Sequence, residues 1–83
     1  MVVEVRYFAA ARAAAGTETE KVRLAEGATV DDLLAVLAAD HGPHLARVLE
    51  RCSYLLDEVA VRDRSTPLTD GAVLDVLPPF AGG

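Results

Sequence analysis

Polar and apolar positions alternate with a period of two at the front of the chain. Over residues 2–8, Val3, Val5 and Tyr7 share one side and Glu4, Arg6 and Phe8 the other, as in a strand with one buried face. The alanine-rich run 9–16 predicts a short helical turn, and Gly16 can supply its left-handed C-terminal cap. Residues 20–25 predict a second strand, with Val22 and Leu24 inward and Lys21 and Arg23 outward. From Thr29 the period changes. Val30, Leu33, Leu34 and Leu37 follow helical spacing. Thr29 is a good N-cap, Asp31 and Asp32 favour the positive end of the helix dipole, and Gly42-Pro43 stops the run. Leu45, Val48, Leu49 and Cys52 repeat the spacing in a second short helix. Short strands are predicted over 53–56, 58–62 and 72–77. The segment between the last two is turn-rich and ends on Asp70-Gly71.

Strand, strand, helix and then several strands is the order of an α+β domain whose sheet is covered on one face. The first and last strands are the most apolar, so they are expected side by side near the sheet centre. A small mixed-sheet roll of this order is the β-grasp, or ubiquitin-like, arrangement. The expected division is a β-grasp domain over 1–77 and an extended tail over 78–83. Parity turns Phe8 outward with Glu4 and Arg6. If Asp75 also faces outward, so do Val73 and Leu77, and Phe80 follows them. These residues, with Pro78 and Pro79, are the expected partner interface, because a contiguous apolar patch beside a tail marks a binding surface.

Composition narrows the function classes. At 83 residues this is one domain with a modest core, so chemistry is expected at the surface or at an end. Eight Lys plus Arg against 13 Asp plus Glu give a net charge of −5, which disfavours nucleic acid and its need for a basic stripe. Glu4 and Arg6 interrupt the N-terminal apolar run, so neither a signal peptide nor a membrane span is expected. A single cysteine allows no internal disulfide, and a cytoplasmic location is expected.

The tail carries the chemistry. In Pro78-Pro79-Phe80-Ala81-Gly82-Gly83 the two prolines cannot continue a central strand and fix their own φ. Six extended residues span about 20 Å, enough to insert an end group deep into another protein. Ala81 and Gly82 are expected to thread a narrow slot, glycine because it has no Cβ and adopts backbone angles closed to other residues. A terminal carboxylate is a poor electrophile. Joined to AMP it gains a leaving group, and a sulfur nucleophile then leaves a thiocarboxylate on Gly83.

Three segments make the chain resemble the small subunit family of molybdopterin synthase, ubiquitin-like sulfur carriers. They are Tyr7-Phe8-Ala9 through Arg12 to Gly16, the turn Pro67-Leu68-Thr69-Asp70-Gly71, and the ending Leu77 to Gly83. Phe80 replaces the usual valine, and Leu56-Asp57-Glu58 stands where a Val-Asn-Gly type turn is common. The resemblance implies that a partner adenylyltransferase uses ATP to activate Gly83 and that a sulfur relay forms the thiocarboxylate. It implies that the tail then enters the large catalytic subunit and gives sulfur to a pyranopterin precursor, in a heterotetramer. No bound cofactor, no metal and no catalytic residue within the folded domain are expected.

Other residues invite weaker readings. Cys52 continues an apolar stripe and is expected to be a buried structural thiol. His41 and His44 are too few for a zinc site. Ser53 has no nucleophile elbow around it. Asp31 and Asp32 are explained by helix capping. Competing functions are a sulfur carrier for thiamine or cysteine synthesis, a ubiquitin-like modifier joined to lysine through Gly83, and a plain interaction module.

Overall fold

Strand β1 (Val2–Tyr7) buries Val3, Val5 and Tyr7 as its alternation requires. The structure is a computed structural model that describes residues 1–79; Phe80, Ala81, Gly82 and Gly83 lie outside the described residues. Helix α1 (Ala9–Ala15) follows at once. It ends on Gly16 at φ 75°, whose N–H bonds the Arg12 carbonyl, as expected of a glycine cap. Strand β2 (Thr19–Arg23) is shorter at its far end than the predicted 20–25. Leu24 still donates to the Met1 carbonyl at 2.9 Å, and Ala25 is bonded into a turn with Ala28.

Helix α2 (Val30–His41) begins in a capping box. The Thr29 side chain accepts from the Asp32 N–H, and the Asp32 carboxylate accepts from the Thr29 N–H. Asp32 therefore satisfies an otherwise orphaned donor in addition to meeting the dipole. Gly42 at φ 94° breaks the helix, and Pro43 opens α3 (Pro43–Leu49). Cys52 lies beyond α3, in the turn before the next strand, so it is not part of the helical stripe. It is buried nonetheless, donates from Sγ to the Val48 carbonyl at 3.2 Å, and burial pushes its thiol pKa up.

Strands β3 (Ser53–Leu56), β4 (Val59–Ala60) and β5 (Val73–Leu77) complete a five-stranded sheet of order β2-β1-β5-β3-β4. The β1–β5 pair is parallel and the other pairs are antiparallel. This is the β-grasp arrangement, with β5 at the centre and β1 beside it. Inward residues of the sheet join Leu33, Leu37 and Leu45 of the helices in one core. Each fully buried leucine there contributes about 1.5–3 kcal/mol.

The polar groups in the core are paired. Tyr7 donates its hydroxyl to Glu20 Oε1 at 2.7 Å, and the same oxygen lies 2.8 Å from His41 Nε2. The His41 ring also meets Tyr7 edge-on, with centroids 5.9 Å apart. His41, read from sequence only as a helix-end residue, thus ties the end of α2 to β1 and β2. On the other side, Tyr54 donates to the Leu49 carbonyl at 2.6 Å and carries the Arg64 guanidinium over its ring.

Asp57 and Glu58 form the two-residue loop between β3 and β4, at φ 47° and 69°. Both are left-handed, which is the backbone an Asn-Gly turn would supply. Asp57 secures its own place: its N–H donates to the Val73 carbonyl and its carboxylate accepts from the Val73 N–H, both at 2.9 Å. Glu58 is exposed and no such bond holds it. Left-handed backbone costs a residue with a Cβ about 1–2 kcal/mol. Glycine avoids that strain but loses more entropy on folding. Glu58→Gly should therefore stabilise the protein by about 0.5–1 kcal/mol, read from the urea unfolding midpoint.

The tyrosines set an alkaline limit. Burial is the main cause that raises the Tyr54 phenol to about 12; burial, aided by the hydrogen bond and charge of Glu20, holds Tyr7 higher still. An unfolded tyrosine titrates near about 10. Above that pH the unfolded chain binds fewer protons than the folded one. The contribution is full below about pH 10 and is lost as pH rises through about 12 for Tyr54, and beyond that for Tyr7. The loss approaches about 1.4 kcal/mol per pH unit for each tyrosine. Urea midpoints should fall between about pH 10 and 11, the buried Cys52 thiol adding to the fall from lower pH, and Tyr54→Phe should make the slope shallower.

Candidate functional site

The parallel register of β1 and β5 sets Val5 opposite Leu74, Arg6 opposite Asp75 and Tyr7 opposite Val76. Val5, Leu74, Tyr7 and Val76 go to the core, so Arg6 and Asp75 meet on the uncovered face. Asp75 lies on the face expected from parity, but it is only 6% exposed. Arg6 covers it with a two-pronged contact, Nε to Oδ1 and Nη2 to Oδ2, the latter at 2.8 Å. The bond and charge of Asp75 raise the Arg6 pKa further, so this guanidinium is charged at any physiological pH.

The ion pair divides the expected interface. Phe8 and Leu77 lie at one end of the sheet, where the Phe8 N–H reaches the Val76 carbonyl at 3.2 Å. Phe8 is 41% exposed and Leu77 half-buried opposite Ser53. Val73 is at the other end of β5, about 13 Å away, half-buried beside Asp57. A single contiguous apolar patch from Val73 to Leu77 is therefore not formed: Arg6 and Asp75 sit between them. Phe8, Leu77, Pro78 and Pro79 are gathered where β5 ends. Pro78 is half-buried and Pro79 exposed. The calls on Phe80, Ala81, Gly82 and Gly83 fall outside the described residues.

Arg6 and Asp75 were the residues that pattern reading missed. Their shared parity was visible. Their contact depends on which strands pair, and in which direction. Among the described residues no group of His, Cys, Asp and Glu is placed to hold a metal ion, and no helix is long and apolar enough to cross a membrane. The Arg12–Glu18 pair at 3.6 Å, beside an open depression under α1, is exposed on both sides and contributes little.

The pair predicts an asymmetry between two variants. Arg6→Ala removes the cation and part of the cover of Asp75 together, so the carboxylate loses both hydrogen bonds while water gains access to it. With Arg6 partly exposed the loss is moderate, and it should exceed that of Asp75→Ala. Asp75→Ala frees a guanidinium that water can reach, and should lose about 1 kcal/mol or less. Equal losses in urea unfolding would refute this account of the pair.

The profile of the ThiS family matches residues 5–83. The chain is 37% identical over 84 aligned residues to the molybdopterin synthase sulfur carrier subunit of Chlamydomonas reinhardtii, covering 100% of both. It superposes on the crystal structure of SAMP1 from Haloferax volcanii with a TM-score of 0.88 at 28% identity, over 100% of both chains. It also superposes, with a TM-score of 0.74 at 30% identity and 100% coverage of both chains, on a structure from Helicobacter pylori 26695 described as the complex of subunits 1 and 2 of molybdopterin-converting factor. With the family profile spanning all but the first four residues and a relative matched end to end, the chain belongs to the ThiS family.

Proposed function

We propose that this chain is the sulfur carrier subunit of a molybdopterin synthase, with Gly83 as the sulfur-bearing residue. The observation that carries the reading is the end-to-end match to the Chlamydomonas reinhardtii protein of that name. The fold supports it. β5 is fixed on both sides by neighbouring strands, so Leu77 is a firm base from which a tail can reach a partner. Pro78 and Pro79 follow it directly and cannot donate to a further ladder.

In this reading the Gly83 carboxylate attacks the α-phosphorus of ATP on a partner adenylyltransferase and releases pyrophosphate. A sulfur nucleophile then displaces AMP and leaves the thiocarboxylate. The tail enters the large subunit, which supplies the substrate pocket, and the sulfur passes to the pyranopterin precursor. Two carriers flank a dimer of large subunits. Phe8, Leu77, Pro78, Pro79 and Phe80 form the docking surface, with Val73 at its far edge beyond the ion pair, and Ala81-Gly82 thread the slot. The chain itself holds no cofactor, and its site of work is the cytoplasm.

A second reading is a protein modifier, favoured by the superposition on SAMP1, which stands for small archaeal modifier protein 1. The product at Gly83 separates the two: sulfur for oxygen, or an amide to a target. Rescue of a molybdenum-cofactor-deficient strain, against a thiamine-requiring one, separates the pathways.

Coexpression with the cognate adenylyltransferase and a sulfur source should raise the intact mass by the difference between sulfur and oxygen. Deleting Gly83 shortens the arm by about 3.5 Å and should abolish both the mass change and turnover with the large subunit. A misplacement of about 1 Å already costs roughly 100-fold in rate. Phe80→Asp should weaken binding of the large subunit about tenfold or more, as expected of an aromatic anchor, while the unfolding midpoint stays unchanged. Cys52→Ser should keep the mass change. Full turnover by the Gly83 deletion would falsify the carrier mechanism.

A further inference from the structure

A guanidinium carries five N–H donors in one plane. Asp75 accepts two of those of Arg6, one from Nε and one from Nη2. The others, on Nη1 and Nη2, meet no acceptor among the described residues. Asp75 is nearly covered, while the Arg6 side chain is 40% exposed. The carboxylate thus holds the guanidinium in one orientation, with its unused edge turned away from Asp75. An ion pair is not needed to fill such a place, since well-packed apolar side chains are often as stable there.

Arg6 also borders a hollow. Arg6, Asp57, Glu58 and Val73 line a depression of about 300 Å³ on the open face of the sheet. Half-buried Val73 gives it an apolar wall. Asp57 accepts from the Val73 N–H through Oδ1, and its Oδ2 has no partner among the described residues. Glu58 is exposed and is in no ion pair among them. The hollow therefore has donors on one wall and acceptors on the other. A carboxylate guest would find the Arg6 donors but lie beside Asp57 and Glu58, and like charges repel. A cationic guest would find the carboxylates but face Arg6, a fixed cation. An amide group is uncharged and brings an acceptor and a donor together, so it answers both walls.

We propose that this hollow receives an uncharged amide of the large subunit, its carbonyl oxygen accepting from the Arg6 Nη groups and its N–H donating to Asp57 or Glu58. This rests on the docking reading above, in which Phe8 and Leu77 face the large subunit. Arg6 and Asp75 are each two residues from them on the same face, about 7 Å along the strands. A standard interface covers about 800 Å² on each partner, a patch about 30 Å across. A partner seated on Phe8 and Leu77 therefore covers the hollow as well. Once covered, the unused Arg6 donors are cut off from water, and leaving them without acceptors is costly. The amide supplies the acceptor. Asp75 is then a positioning residue, which aims Arg6 at the partner.

The test measures binding of the full chain to the purified large subunit by calorimetry, and guanidinium exchange by nitrogen-edited NMR. Arg6→Lys keeps a cation beside Asp75 but loses the planar edge. It should bind about tenfold more weakly, with the amide signals of Phe8 and Leu77 unmoved in the unbound chain. In the wild-type complex the Arg6 Nη protons should exchange slowly. If Arg6→Lys disturbs Phe8 or Leu77, that exchange decides alone. Glu58→Gln keeps an acceptor and should change affinity by less than about threefold. A clearly tighter Glu58→Gln complex means a carboxylate guest, a tenfold weaker one a cationic guest, and either overturns the proposal. So does unchanged affinity in Arg6→Lys, or fast Nη exchange in the complex; the docking reading then stands if Phe80→Asp still weakens binding. No binding by the wild-type chain would overturn the docking reading and the proposal together.

Discussion

The parallel pairing of β1 with β5 joins residues as far apart as Arg6 and Asp75, 69 positions along the chain. Nearly every other feature depends on it. It places the last strand at the centre of the sheet, between β1 and β3. It packs Val5 beside Leu74 and Tyr7 beside Val76 on the covered face, and brings Arg6 to Asp75 on the open one. A parallel pair needs a long crossover, and here that crossover contains all three helices. Helices α2 and α3 carry the chain from β2 past β1 and β5 to β3, and their leucines pack on one face of the sheet on the way.

The same pairing explains how a small domain can present a working end. The chain leaves the sheet from its centre, and Leu77 is bonded within a five-stranded sheet before Pro78 and Pro79 begin. A central strand gives its last residue little freedom, so the base of the arm is positioned by the core. Among the described residues left-handed backbone outside glycine occurs at three, and Ala9 at the junction of β1 and α1 is one of them. Asp57 and Glu58 hold left-handed backbone at a hairpin tip, and the exposed Val59 belongs to a two-residue edge strand.

The open face is more polar at its centre than an apolar docking sheet would be. Asp75 is almost covered, and Arg6 does the covering. A two-pronged contact holds both side chains in one geometry, so the face has a fixed polar centre with Phe8 and Leu77 to one side. The two tyrosines do the equivalent task beneath the sheet. Each phenol is buried with an acceptor in reach, Glu20 for Tyr7 and the Leu49 carbonyl for Tyr54. Each therefore ties one element to another at a defined place.

Sequence alone determined the elements and their inward faces. The alternation of Val3, Val5 and Tyr7, the stripe of Leu33, Leu34 and Leu37, the Thr29 cap and the Gly16 and Gly42 stops were legible because period and cap chemistry are local. The order of elements was enough to suggest the roll, and the ending from Pro78 to Gly83 was enough to suggest a carrier. Tertiary structure decided what depends on distant pairing. Nothing local says that Arg6 shields Asp75, that Glu20 serves Tyr7 and His41 at once, or that Val73 and Leu77 are separated by charge. Nor could periodicity place Cys52 beyond the end of α3, since a buried turn residue and a buried helical one look alike in a pattern of apolar positions. Register across strands is fixed by the whole core settling into one arrangement, so those contacts exist only once the chain has folded.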